Sequence, residues 1–175
     1  MTTPNSFLEQ LIQKLNLRPL PGEGGLYAET YRSSLRLSDS ALPETYADRD
    51  KPCGTAILYL LTDQPDSFSA LHRLPTDEIY HFYLGDPLEM LLLYPDGSSR
   101  RPILGPNILN GQHVQLVIPA GVWQGSRVMS GGRFALVGTT MAPGFTPRDF
   151  EAGRRAELLA RYPAEREAIL ALTRV

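Results

Sequence analysis

The sequence predicts an all-β domain, a sandwich, jelly roll or barrel, with one short helix before it and short helices after it. Three observations carry this. Between Gly24 and about Pro143, short runs rich in Val, Ile, Leu, Tyr, Phe and Thr alternate with clusters of Gly, Pro, Asp and Asn. The separators Gly85-Asp86-Pro87, Pro95-Asp96-Gly97, Asn110-Gly111, Pro119-Ala120-Gly121 and Gly131-Gly132 favour tight turns, since they supply positive φ or a preset φ. No long helical pattern falls between the runs, which argues for short strands joined by turns.

Taken in order, Phe7, Leu8, Leu11, Ile12 and Leu15 recur at helical spacing and predict an amphipathic helix over 7–15. Ser6 and Glu9 form a capping box at its start. Asn16 can end it in a left-handed conformation, and Pro19 and Pro21 prevent its continuation. Strands are predicted near 26–33, 54–62, 67–73, 77–84, 88–94, 100–104, 113–118, 124–129 and 133–141, so the barrel covers about 24–143. The segment 34–53 reads as a long loop, either a lid or a plain surface connection. Thr146 as N-cap and Pro147 at the first helical position then open a helix. Tyr162-Pro163 interrupts it, and a second helical stretch runs from Pro163 towards Leu172. These helices, about 147–172, are expected to cover the outside of the barrel. One domain accounts for 1–175.

Composition narrows the function. A hydrophobic fraction of 42% with 21% charged residues excludes a disordered chain. With 17 basic against 19 acidic residues there is no polycationic surface, so nucleic acid is not an expected partner. Cys53 is the sole cysteine and cannot form an internal disulfide. The start has neither the basic nor the apolar region of a signal peptide, and no apolar run approaches the ~18 residues of a membrane span. A cytoplasmic protein without membrane partners is the expectation.

Candidate chemistry concentrates in His72-Arg73-Leu74-Pro75-Thr76-Asp77-Glu78-Ile79-Tyr80-His81-Phe82-Tyr83-Leu84-Gly85. It sets a His at the end of one strand and a carboxylate at the start of the next, where an antiparallel pair can bring both to one face. A His beside a Glu inside a barrel makes an acid–base pair; a polar plug in the barrel mouth is the plain alternative. Strand alternation places Glu78, Tyr80 and Phe82 on one face and His81 on the other unless a bulge intervenes. Trp123 either packs in a core or stacks on a ligand, and His113, just after a turn, is read as solvent-facing.

At these residues the sequence resembles the cupin superfamily. His72, Glu78 and Gly85 fit the first cupin motif, and Pro119-Ala120-Gly121-Val122-Trp123-Gln124 is similar to the second, Pro-x-Gly-x-x-His. Leu71-His72-Arg73-Leu74 with Asp77-Glu78-Ile79-Tyr80-His81, Gly85-Asp86-Pro87, Leu104-Gly105-Pro106 and Ala142-Pro143-Gly144-Phe145 looks like a subfamily of small single-domain cupins of unassigned function. The likeness runs from Gly24-Gly25 and Glu29-Thr30-Tyr31-Arg32 to Phe145. It implies a double-stranded β-helix, the jelly-roll barrel, and a homodimer in which 26–33 pairs with the partner's sheet. An ordinary edge strand within the monomer is the alternative for 26–33.

Carried over by position, the family's metal ligands fall on His72, Leu74, Glu78 and Gln124. Leu74 has no donor atom, and Gln124 offers a weaker donor than imidazole. No cofactor is therefore expected. A divalent metal, if bound, would rest on His72, Glu78 and Gln124, with His81 or water completing the set. The resemblance permits three functions. One is a metal-independent isomerase or epimerase acting on a small polar metabolite such as a sugar or sugar nucleotide, with His72 and Glu78 catalytic and Tyr80, Phe82, Gln124 and His81 around the ligand. The others are a non-catalytic small-ligand-binding protein and a divalent-metal-dependent enzyme.

Overall fold

The computed structural model describes residues 7–44, 46–48 and 50–174. Helix α1 (Phe7–Lys14) ends as its sequence predicts: Asn16 takes φ 53°, and the Leu17 amide reaches back to the Ile12 carbonyl at 3.0 Å. Ser6, the other half of the expected capping box, lies outside the described residues. The strands are β1 (Arg18–Pro19), β2 (Leu26–Arg32), β3 (Arg36–Leu37), β4 (Lys51–Pro52), β5 (Thr55–Thr62), β6 (Ser69–Arg73) and β7 (Glu78–Gly85). They continue with β8 (Leu88–Leu93), β9 (Ser99–Arg100), β10 (Ile103–Leu104), β11 (Gln115–Ile118), β12 (Trp123–Val128), β13 (Phe134–Met141) and β14 (Glu151–Ala152). Helices α2 (Arg155–Arg161) and α3 (Arg166–Ala171) follow.

The main strands form two antiparallel sheets facing each other. One runs β1-β2-β5-β13-β7-β11, and the other runs β10-β8-β12-β6-β14 with β9 on β8. Their inner faces enclose an apolar core that includes Tyr59, Leu61, Tyr80, Leu88, Met90, Leu92, Ile118 and Val137. Outward residues of each sheet pack under helices. Leu58, Leu60 and Leu136 meet α1 through Leu8, Leu11 and Ile12. Leu71, Leu91, Leu93 and Trp123 meet Leu158 and Tyr162 of the α2 region and Ile169 of α3. The C-terminal helices thus cover the barrel's outer face, as their apolar residues predict. Trp123 belongs to that outer packing, with the Arg73 guanidinium 4.6 Å above its ring, and does not face the interior.

Several local expectations are corrected. The strand expected at 100–104 is two short pieces, β9 and β10, because Pro102 has no amide to continue a ladder. The segment 34–53 is tied down: β3 pairs with β4, and Leu42, Tyr46 and Lys51 are buried. The helix expected from Pro147 is a single 3-10 turn, Pro147–Asp149, after which the chain pairs with β6 as β14. Thr146 and Asp149 do form a capping box. The Asp149 carboxylate, however, also holds the buried Lys51 ammonium, which draws the turn inward, and Glu151 pairs opposite Arg73. Strand β2 pairs with β5 along one edge, and β1 covers its other edge only at Leu26 and Tyr27.

Candidate functional site

A cavity of about 330 Å³ opens at one end of the barrel. Strand alternation builds its wall. Tyr27 and Glu29 of β2, Thr55 and Ile57 of β5, and Thr139 and Met141 of β13 all face inward. A bulge between Glu29 and Tyr31 shifts the alternation so that Arg32 also turns in. From the opposite sheet come His72 and, just beyond β6, Leu74, while Glu78 stands at the start of β7 in the first sheet. The segment after β13 closes one side with Phe145, Pro147 and Phe150.

His72 is 2% exposed, and its ring nitrogens have separate environments. Nδ1 lies 2.8 Å from the Ala70 carbonyl, which can only accept, so Nδ1 carries the proton. In that tautomer Nε2 is the acceptor nitrogen. Phe150 stacks on the imidazole at 5.2 Å between centroids and 24° between planes. Nε2 stands 4.0 Å from Oε2 of Glu23.

Glu78 is buried, and the Gln124 amide donates to its Oε2 at 2.7 Å. Burial pushes its carboxyl above the usual carboxylate range. The charge of Glu23 pushes the same way, while His72 and hydrogen bonds from Thr139 and Gln124 oppose the shift. Around the mouth, Glu29 is clasped by Arg32 at 2.6 and 2.9 Å, and Arg32 also donates to the Phe145 carbonyl. Arg18 lies over Tyr27 and donates to its hydroxyl at 3.2 Å.

Of the residues expected around a ligand, His72 and Glu78 line the cavity, whereas Tyr80, Phe82, Gln124 and His81 do not. Tyr80 and Phe82 share Glu78's face, as alternation requires, but lie deeper, in the packed core. Gln124 sits behind Glu78 and holds it; its own Oε1 is buried without a hydrogen-bond partner among the described residues. His81 points out of the barrel, between Thr140 and Gln115, with its ring parallel to that of Tyr83. A bulge does occur in β7, but after Phe82, too late to redirect His81. His113 is half-buried and also lies off the cavity wall.

Glu23 was not anticipated. It sits on the turn between β1 and β2, in Pro21-Gly22-Glu23-Gly24-Gly25. The available signal was a lone acid bracketed by glycines. Gly24 and Gly25 adopt φ 109° and 65°, and a Cβ on Gly24 would lie 2.4 Å from the Phe68 carbonyl. Only glycine lets the turn fold this tightly beneath β6.

The metal positions can be tested against these contacts. Leu74 contributes a hydrocarbon wall, and Gln124 spends its amide on Glu78 and does not line the cavity. No group of three or more His, Cys, Asp or Glu side chains suited to a metal occurs among the described residues. The residues at the cupin metal positions do not fit that ion.

Residues 9–153 match the family described as Cupin superfamily (DUF985). The chain is similar to an uncharacterized protein of Saccharomyces cerevisiae, 31% identical over 161 residues, which cover 86% of this chain and 76% of the yeast protein. Among solved structures it is similar to a protein from Shewanella oneidensis, with a TM-score of 0.81 and 30% identity over 99% of each chain. A hypothetical protein from Leishmania major is similar with a TM-score of 0.83 and 31% identity, over 95% of this chain and 98% of that one. No described helix is long and apolar enough to cross a membrane.

Proposed function

The chain belongs to the DUF985 family of the cupin superfamily, and from that premise we propose that its cavity binds a small polar metabolite, such as a sugar or sugar nucleotide, and moves a proton on it in an isomerase- or epimerase-type reaction run by protein side chains. One observation carries the reading: the Ala70 carbonyl pins the Nδ1 proton of a buried His72, leaving Nε2 as a base aimed into the cavity beside a carboxylate. That is the arrangement proton abstraction needs.

The steps balance with His72 and Glu78 alone. His72 Nε2 takes a proton from a carbon next to a carbonyl, and the C–H electron pair moves onto the carbonyl oxygen. Glu78, biased towards its protonated form by burial, gives that oxygen a proton. Return of the His72 proton to the neighbouring carbon, and of a hydroxyl proton to Glu78, completes an isomerisation with no net change in composition. Glu23 stabilises the imidazolium between the two steps, and Gln124 keeps Glu78 in place. The mostly apolar wall of Leu20, Ile57, Leu74, Met141, Phe145 and Phe150 excludes water from these exchanges.

The test is solvent exchange. Purified protein incubated in D2O with hydroxylated carbonyl compounds should place deuterium on carbon, followed by NMR. His72→Gln should lower the rate by about a hundredfold or more, the usual range for removing a general base. An unchanged rate in His72→Gln would sink the reading.

A further inference from the structure

We infer that Glu23 is a ligand-contacting residue and that it narrows the substrate class to α-hydroxy carbonyl compounds, a carbon that gives its proton to His72 and a hydroxyl on that carbon or its neighbour that donates to Glu23. The inference rests on reading His72 as the base, and it adds a ligand-contacting residue that this reading does not itself supply.

The first argument is how firmly the turn is held. The Ala70 amide donates to the Glu23 carbonyl at 2.9 Å, and the Tyr59 hydroxyl donates to the Gly24 carbonyl at 2.9 Å. Arg174 donates to the carbonyls of Glu23, Asp66 and Phe68 at 3.0–3.2 Å. Two strands and the segment after α3 therefore set the position of this one acid. Its side chain is fixed as well, because the Ser69 hydroxyl donates to Oε1 at 2.7 Å. A bulge in β6 makes this possible. Gln124 of β12 pairs with His72 but Ser126 pairs with Ser69, so His72 and Ser69 both reach the interior although they are three residues apart.

The second argument is the gap that remains. Oε2 stands 4.0 Å from His72 Nε2, beyond hydrogen-bond length. Both residues line the cavity, and at this distance neither atom satisfies the other. Two acceptors so placed are poorly served by each other and well served by a ligand that presents a C–H to one and an O–H to the other. Of the remaining cavity carboxylates, Glu29 is clasped by Arg32, and Glu78, held by Gln124, already serves the reacting oxygen. Glu23 is the acid at hand for a hydroxyl beside the reacting carbon.

Glu23→Gln tests this cleanly. A glutamine keeps an oxygen to accept from Ser69, so the turn should hold and the variant should melt with the wild type, while the atom facing His72 changes from acceptor to donor. The probes are glucose 6-phosphate against 2-deoxyglucose 6-phosphate, and hydroxyacetone against acetone, with ligand-observed NMR for binding and deuterium uptake in D2O for turnover. Wild type should favour the hydroxylated member of each pair by at least about tenfold, since a site built to bind a hydroxyl rejects the analogue without it. In Glu23→Gln that preference should fall to within about twofold, and Glu23→Asp should recover part of it. A preference that survives in Glu23→Gln, or equal use of both members by wild type, overturns the inference and leaves the His72 reading standing. Selective binding without deuterium uptake overturns proton transfer and leaves Glu23 as the hydroxyl acceptor. Neither binding nor uptake of any hydroxylated probe overturns both.

Discussion

Along β5, Thr55 and Ile57 line the cavity, whereas Tyr59 and Leu61, on the same face of the same strand, are sealed in the core. Strand β13 repeats the contrast, with Met141 and Thr139 at the cavity and Val137 and Ala135 packed. So does β7, where Glu78 reaches the cavity and Tyr80 and Phe82 lie beneath it. One end of the barrel is filled to close packing and the other is left open around a buried His and three acids. Alternation decides which face a residue occupies; position along the strand decides whether that face meets a side chain or the cavity.

This contrast can be broken by mutation. At the packed end, Leu92→Ala should cost about 2–5 kcal/mol in a denaturant melt, since a cavity is created where none exists. Leu74→Ala, on a wall that already borders open space, should cost less than half as much. Equal costs would mean the two ends are equally packed.

A smaller effect of opposite sign is expected at Glu78. Its pKa is raised by burial, so from the ordinary carboxylate range upward the folded protein holds a proton that the unfolded chain has released. Glu78's contribution to stability is therefore full at low pH and declines as pH rises through the folded-state value. Glu78→Gln should remove that decline, raise neutral-pH stability by roughly 1 kcal/mol and abolish turnover. Thermal melts from pH 4 to 8 that show the same slope in both proteins would contradict it.

The smallest effect belongs to Tyr80→Phe. Its hydroxyl is interior but beneath the cavity, so removal should cost about 0.5 kcal/mol of stability and leave probe affinity within about twofold. A large loss of affinity would return Tyr80 to the ligand.

These particulars show what the sequence made legible. Gly- and Pro-rich separators and alternation were enough for the barrel, for the shared face of Glu78, Tyr80 and Phe82, and for the outward turn of His81. Depth was not legible, because the period of 2 is identical at the packed and open ends of a strand. Gln124 could be placed inside from its motif. That it holds Glu78 and does not line the cavity depends on a side-chain contact across 46 residues. Glu23 was hidden for the same reason: its partners, Ser69 and His72, lie on a strand that local patterns cannot connect to a turn at 21–25. The helix expected from Pro147 stopped after one turn although its capping box formed, because the chain beyond it pairs with β6, a contact local capping signals do not reveal.

That last contact bears on how such a chain can change over generations. Lys51 and Asp149 are both fully buried, and Asp149 also caps the turn that carries Pro147 and Phe150 to the cavity. Replacing either partner alone strands a charge in the interior at a cost of about 3–5 kcal/mol, while an apolar pair of similar volume can be tolerated. Any route from one state to the other runs through a much less stable intermediate. The segment 34–53 and the cavity wall at 145–150 are thus constrained to drift together, and variation that reshapes one will be filtered by its fit to the other.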